Sequence, residues 1–386
     1  MSEHRIIVGE CVEGMQGIGD QSVHCVVTSP PYWAMRNYGV DEQIGMEKTP
    51  EEYIDKLSRV FREVHRVLRN DGTLWLNLGD KIRDKNLLCI PWRVAMALQR
   101  EGWYLRQDII WSKPNPLPES VTDRCTKSHE FIFLLTKSPK YYFDHEAIRE
   151  PAVTGKWDAM PKIGGTKHVG SGSNPSRTYS GNRPPGSGKR NKRSVWTVTP
   201  KPYRGAHFAV FPHDLIEPCI LAGTSEKGCC PNCGSPLKRV VEKEKLTRER
   251  PNDRTTRHTQ GNGVNSCGNT VAGVASRTVG WELTCRCTEH AKDDDGVTMC
   301  DLSPVPCTVL DPFVGSGTTI IVALQHGRNA IGCELNPEYA NMAEERIAKE
   351  LRPAPQTPRQ QERSLMEQEH NASHEHELFN RTREVV

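Results

Sequence analysis

Thr28-Ser29-Pro30-Pro31-Tyr32-Trp33 sets hydrogen-bond acceptors rigidly beside an aromatic plate. Consecutive prolines fix φ at two positions and remove two backbone donors, so the carbonyls of Ser29 and Pro30 and the Ser29 hydroxyl face few internal competitors. An exocyclic amino group on a nucleobase fits such a frame, because it offers two N–H donors on a flat ring that can stack on Tyr32. Its nitrogen is a poor nucleophile while its lone pair is delocalised into the ring. Hydrogen bonds to Ser29 and to the Pro30 carbonyl make that nitrogen more tetrahedral and turn its lone pair toward an electrophile. A plain surface turn is the commoner role of a Pro-Pro pair, and this stretch alone does not decide between the two.

Near the other end of the chain, Thr308-Val309-Leu310-Asp311-Pro312-Phe313-Val314-Gly315-Ser316-Gly317-Thr318-Thr319 reads as an apolar strand, an acid, a glycine loop and the start of a helix over Thr318 to Gln325. Glycines at 315 and 317 let backbone N–H groups approach a ligand closely, and a helix N-terminus favours a ligand's carboxylate. The strand Asn329 to Cys333 ends in Glu334, where an acidic side chain is placed to accept ribose hydroxyls. These features mark a nucleoside-cofactor site.

A third constellation is built on sulfur. Cys230-Pro231-Asn232-Cys233-Gly234 has the two-residue spacing and trailing glycine that turn two thiolates toward one metal. Cys285-Arg286-Cys287 is the expected second pair, with a less usual spacing, reached across the polar, basic stretch Lys243 to Arg277 as a long excursion. Four thiolates leave no open coordination position, so Cys230, Cys233, Cys285 and Cys287 are expected to hold a structural zinc rather than a catalytic one. Reduced, non-ligating thiols are the alternative, and Cys229, Cys267, His290 and Cys300 are the available substitutes.

Alternating strands and helices must position these groups. Arg5 to Val8, Val23 to Val27, Thr73 to Leu78, Tyr104 to Trp111 and Phe131 to Thr136 read as strands. Thr49 and Pro50 read as an N-cap and first helical residue, followed by Tyr53, Ile54, Leu57, Val60, Phe61, Val64 and Leu68 on one face, with Asn70-Asp71-Gly72 ending the helix. Further helices open at Ile90-Pro91-Trp92, at Asp214 and at Asn336-Pro337-Glu338. The alternation implies an α/β fold with a mostly parallel sheet covered on both faces.

At 386 residues and 43.4 kDa the chain is long enough for such a core and an added module. A formal net charge of +3 argues weakly for a nucleic-acid partner, but its distribution argues better: Lys and Arg recur from Lys156 to Arg204 against the single acid Asp158. A solvated loop would look similar. Fourteen cysteines, with no apolar signal segment and no membrane-length apolar run, are expected of a reduced, cytoplasmic protein.

The Ser29 to Tyr32 motif, followed far downstream by the Asp311 to Thr319 motif, resembles the amino-methylating DNA methyltransferases that use S-adenosylmethionine, in the permuted beta-group order. The likeness spans residues 4 to 150 and 195 to 350. It implies a Rossmann-like class I methyltransferase fold, here carrying an inserted zinc-knuckle-like module, with double-stranded DNA as substrate. Ser29, Pro30, Pro31 and Tyr32 are the implied catalytic residues. Implied cofactor contacts are Asp311, Pro312, Phe313, Gly315, Gly317, Thr318, Thr319 and Glu334, joined by His207 and Phe208, and by Glu10 where the family usually has Asp. Arg36-Asn37-Tyr38-Gly39 is implied to cover a flipped base, and Asp80 either faces the cofactor cleft or caps a turn.

The implied layout is a catalytic half over 1–150, a basic target-recognition region over 151–194, a cofactor-pocket segment over 195–228, a Cys-rich insert over 229–300, a cofactor-binding half over 301–352 and a disordered tail over 353–386. The knuckle is expected to brace the DNA-facing edge. Ser29 resembles the cytosine-N4 enzymes, whereas adenine-N6 enzymes usually carry Asp there, so cytosine N4 is the expected target and adenine N6 the alternative. Rival readings are a catalytically silent DNA-binding protein of this fold, and methylation of RNA or a protein glutamine. The intact motifs speak against the first and the basic segment against the second. A cognate restriction endonuclease is a compatible partner, and the oligomeric state is not encoded.

Overall fold

The computed structural model describes residues 2–37, 39–40, 43–151, 189–200, 210–248, 270–287 and 303–352. The chain begins with β1 (His4–Val8), α1 (Cys11–Gln16), β2 (Val23–Thr28), α2 (Pro50–Val67) and β3 (Leu68–Leu78). A small hairpin, β4 (Ile82–Arg83) and β5 (Asn86–Leu87), precedes α3 (Ile90–Arg100), β6 (Tyr104–Ser112) and β7 (His129–Thr136). Two short strands, β8 (Glu150–Pro151) and β9 (Lys189–Arg190), lead to β10 (Val195–Thr197) and α4 (His213–Gly223). The ribbon β11 (Lys238–Arg248) and β12 (Thr270–Glu282) is followed by β13 (Thr308–Asp311), α5 (Thr318–Gln325), β14 (Asn329–Glu334) and α6 (Pro337–Glu350).

Eight strands form one sheet in the order β1-β14-β13-β2-β3-β7-β6-β10. Only β7 runs against its neighbours, so the mostly parallel sheet expected from the strand–helix alternation is present with one reversed strand. β2 is buried along its whole length, as a strand covered on both faces must be. Alternate residues of β3 serve the two faces: Leu74, Leu76 and Leu78 join the core cluster that holds Tyr53, Leu57, Phe61 and Val64 of α2, while Trp75 joins the one that holds Leu215, Ile216 and Ile220 of α4. The chain leaves β2 toward β3 on one side and β13 toward β14 on the other. Their adjacent ends are therefore the topological switch point at which open α/β sheets bind ligands.

Thr49 caps α2 as anticipated, its hydroxyl accepting from the Glu52 N–H at 3.2 Å. Asn70-Asp71-Gly72, however, does not form a separate stop after α2. The helix ends at Val67 and runs directly into β3, where the register jumps from Val23–Leu68 to Cys25–Thr73 and residues 69–72 bulge outward. Arg69 and Asp71 then pair across the bulge at 2.7 and 3.1 Å. Of the stretch read as a long excursion between the cysteine pairs, the described residues 243–248 and 270–277 belong to an antiparallel ribbon, paired from Lys238–Glu282 to Arg248–Thr270.

Candidate active site and cysteine cluster

Because β13 lies beside β2, with Val309 opposite Cys25 and Leu310 opposite Val26, Ser29 and Pro312 leave the sheet at the same edge. Thr28 Oγ1 donates to Asp311 Oδ1 at 2.6 Å, Thr319 Oγ1 to Asp311 Oδ2 at 2.6 Å, and the Phe313 N–H to Oδ1 at 3.0 Å. One buried carboxylate thus ties the serine turn to the glycine loop. These motifs, far apart in sequence, meet at the switch point.

Burial pushes the Asp311 carboxyl up from 3.8 to about 6, against the hydroxyls of Thr28 and Thr319 and the Phe313 N–H, which favour the ionised form. The folded state therefore keeps a proton that the unfolded chain releases between these two values. The associated stability is fully present below pH 3.8 and is lost as pH rises through about 6. In Asp311→Asn this linkage disappears. Stability of the wild type relative to this variant is expected to fall from pH 4.5 to 7.5 by roughly 2 kcal/mol. Urea unfolding of both proteins at the two pH values checks it, and a pH-independent difference would refute it.

Gly315 and Gly317 adopt φ of +50° and +80°, a region that suits glycine. The Gly315 N–H donates to Glu334 Oε2 at 2.9 Å and the Asn336 N–H to Oε1 at 3.1 Å, and burial holds the Glu334 carboxyl above the ordinary glutamate range. Glu10 caps α1 by accepting from the Glu13 N–H at 2.9 Å, one strand away from Glu334, where Val8 pairs with it. Glu10, Glu334, Asp311, Pro312, Phe313, Gly315, Gly317, Thr318 and Thr319 consequently share one edge of the sheet. His207, Phe208 and Tyr38 lie outside the described residues, as do Cys267, His290, Cys300, most of the basic stretch and the tail. Asp80 caps α3, accepting from the Ile90 N–H at 3.0 Å.

Around the serine turn stand polar groups that motif reading missed. Ser29 Oγ donates to Tyr32 Oη at 3.3 Å, and Tyr32 Oη donates to Glu130 Oε2 at 2.7 Å. Asn77 Nδ2 donates to Tyr32 Oη at 2.7 Å and lies 3.1 Å from Glu130 Oε2. Lys113 Nζ pairs with Glu130 Oε1 and sits 4.2 Å from the Trp111 ring. Burial, with Glu130 alongside, raises the Tyr32 phenol well above its usual range, so it stays protonated. The Tyr32 ring rests against Gly79, where a Cβ would come within 2.6 Å of Cε2. Among the described residues no hydrogen bond ends on the Ser29 or Pro30 carbonyl, in keeping with acceptors held free. Asn77, a polar residue within the apolar run Leu74 to Leu78, was the one signal in the sequence for this network.

The four cysteines singled out by spacing come together: the Sγ atoms of Cys230, Cys233, Cys285 and Cys287 all lie within 4.8 Å of one another. Tetrahedral zinc with Zn–S bonds of about 2.3 Å sets its sulfurs about 3.8 Å apart, so the cluster fits that ion. Despite desolvation, the backbone N–H groups of Cys233 and Asn232 bring the Cys230 thiol down to about 7, while thiol contact with Cys233 and burial push Cys287 up to about 12. The Cys230–Gly234 turn lies at the end of the sheet away from the serine turn. Its Gly234 carbonyl accepts from His24 Nε2 at 2.8 Å and its Cys233 carbonyl from Arg69 Nη1 at 2.6 Å, both at the beginnings of strands whose ends form the site. A second group, His24, Cys229 and Cys307, is also close, but both His24 nitrogens are occupied, Nδ1 accepting from the Thr308 N–H at 3.0 Å.

The sheet order and the two joined motifs define a methyltransferase, and the chain belongs to the amino-methylating DNA methyltransferase family. It matches the DNA methylase family model N6_N4_Mtase over residues 23–230 and 303–345, a match that omits the ribbon and three of the four clustered cysteines. It is 35% identical over 372 residues to the Type II methyltransferase M.SmaI of Serratia marcescens, covering 89% of this chain and 90% of that protein. Identity to the Type II methyltransferase M.Cfr9I of Citrobacter freundii is 34% over 368 residues, covering 88% and 86%. In fold it is similar to PvuII DNA methyltransferase (cytosine-N4-specific), with a TM-score of 0.50 and 16% identity over 91% of this chain and 92% of that one.

Proposed function

We propose that this enzyme transfers a methyl group from S-adenosylmethionine to the N4 nitrogen of cytosine in duplex DNA. The observation that carries the reading is the Thr28–Asp311 hydrogen bond of 2.6 Å, which sets the acceptor turn against the glycine loop. When bound, S-adenosylmethionine supplies a methyl group already activated by its sulfonium. Gly315, Gly317 and the N-terminus of α5 receive its carboxylate, and Glu334 and Glu10 its nucleoside. Ser29 Oγ and the Pro30 carbonyl orient the target amine, and positioning does most of the catalytic work. Asn77 Oδ1 is buried without a partner among the described residues, an unused acceptor beside this network. The proton shed by the methylated amine passes to Ser29 Oγ as the Ser29 hydroxyl proton moves to Tyr32 and the Tyr32 proton to Glu130.

Cytosine is favoured by Ser29, and by Lys113 Nζ, which keeps hydrogens beyond the one it gives Glu130 beside the same turn. Cytosine presents N3 and O2 as acceptors beside its amine, whereas the Watson–Crick edge of adenine has one. Basic residues from Lys156 to Arg204 suit the DNA backbone. Cys230, Cys233, Cys285 and Cys287 would hold a structural zinc. Mass spectrometry of nucleosides from DNA methylated in vitro tests the base: N4-methylcytosine is expected, N6-methyladenine would reassign the target, and neither product would overturn the reading.

A further inference from the structure

We propose that Leu117 is a wedge that enters the duplex and fills the space vacated by the target base, an inference that rests on the DNA reading above. Leu117 is 86% exposed, more than any other large apolar residue described. A lone exposed leucine is ordinary, so its setting has to carry the argument. It stands in Lys113-Pro114-Asn115-Pro116-Leu117-Pro118, where prolines on both sides lock the backbone and leave little entropy to lose on insertion.

One end of this loop is anchored at the catalytic network and the other beside it, at the end of β3 and the β4–β5 hairpin. Lys113 pairs with Glu130, and its N–H donates to the Ser128 carbonyl at 2.8 Å. On the return side, Glu119 accepts from the Lys127 N–H at 3.2 Å and from Arg124 at 2.6 Å, while Lys127 Nζ reaches the Asp80 carbonyl. Asp123 pairs with Lys85 at 3.0 Å, joining the loop to the β4–β5 hairpin. Leu117 is therefore a rigid tip four residues from a side chain of the pocket. Met35, three residues past Tyr32 and 52% exposed, and Leu87, in the hairpin that Lys85 joins to Asp123 and 50% exposed, are further exposed apolar side chains, and Lys81, Lys85, Arg124 and Lys127 lie on the same segments, Lys85 and Arg124 being paired with Asp123 and Glu119. Apolar tips set among cations match a partner that offers phosphates outside and a stacked, apolar gap inside.

Extruding a base costs a few kcal/mol of pairing and stacking, and an inserted apolar side chain recovers part of the stacking. The test uses a duplex carrying the site the wild type methylates, with 2-aminopurine next to the target base. Leu117→Ala is expected to lose most of the fluorescence rise seen with wild type and to lose about tenfold or more in kcat/KM. On a duplex mismatched at the target pair, where extrusion is easy, its rate should return to within about twofold of wild type. S-adenosylmethionine affinity should be unchanged and Leu117→Met should behave as wild type. Equal loss on paired and mismatched duplexes, no loss on either, or no fluorescence rise with wild type would overturn the wedge. Failure of the wild type to methylate any DNA would overturn the underlying reading as well.

Discussion

Tyr32→Ala is expected to lower kcat by about 10²–10³-fold while leaving S-adenosylmethionine affinity within about threefold of wild type. Three roles end together in this variant. The ring no longer backs the target base, Ser29 Oγ loses the oxygen to which it donates at 3.3 Å, and Asn77 Nδ2 loses its contact at 2.7 Å. Cofactor affinity is spared because the groups around the glycine loop, Asp311 and Glu334, make no contact with the phenol among the described hydrogen bonds. Tyr32→Phe separates the roles. It keeps the ring against Gly79 but removes the proton path, so about a tenfold loss is expected. Single-turnover rates with saturating DNA, beside equilibrium titration of the cofactor, make the measurement. Full activity in Tyr32→Ala would remove Tyr32 from the mechanism.

The second large effect concerns sulfur. Wild-type protein is expected to carry one zinc per chain, and the Cys230→Ser, Cys233→Ser protein none, with stability lower by several kcal/mol. Loss of the metal should be felt beyond the insert, because His24 and Arg69 hold the knuckle carbonyls at the starts of β2 and β3. Elemental analysis gives the content and urea unfolding the stability. Since the double variant risks failing to fold, chelation of the wild type, followed by return of zinc, provides the same comparison on an unaltered chain. Unchanged zinc content in the variant would rule out these ligands.

How far the site was legible in the sequence depends on how each residue is positioned. Ser29 to Tyr32 and Asp311 to Thr319 announce themselves because prolines and glycines dictate local backbone, and local backbone is what a motif records. The cysteine quartet was legible for the same reason, since two-residue spacing and a glycine shape one turn. Glu130, Lys113 and Asn77 reach the serine turn from three different strands or strand ends, and only the pairing of β3, β7 and β6 brings them together. Their chemistry is in the sequence but their proximity is not. The ribbon was missed because β11 is mostly charged and the apolar residues of β12 follow no regular alternation in the sequence, so cross-strand pairing alone defines it. Asn70-Asp71-Gly72 misled because the same residue types suit a helix stop and a bulge. The neighbour β2 chose the second by pairing on both sides of it.

The knuckle and the serine turn sit at opposite ends of β2, with His24 near one and Ser29 just past the other. At about 3.3 Å per residue, roughly 17 Å of close-packed strand separates them. Thiolates are avid acceptors for alkyl groups, and a sulfonium gives its methyl to whichever soft nucleophile it meets first. The Cys230 thiol, brought down to about 7, therefore stands a sheet's length from the cofactor edge, whereas the thiols beside that edge, Cys11 and Cys333, are buried and pushed up, so neither offers a thiolate to the activated methyl.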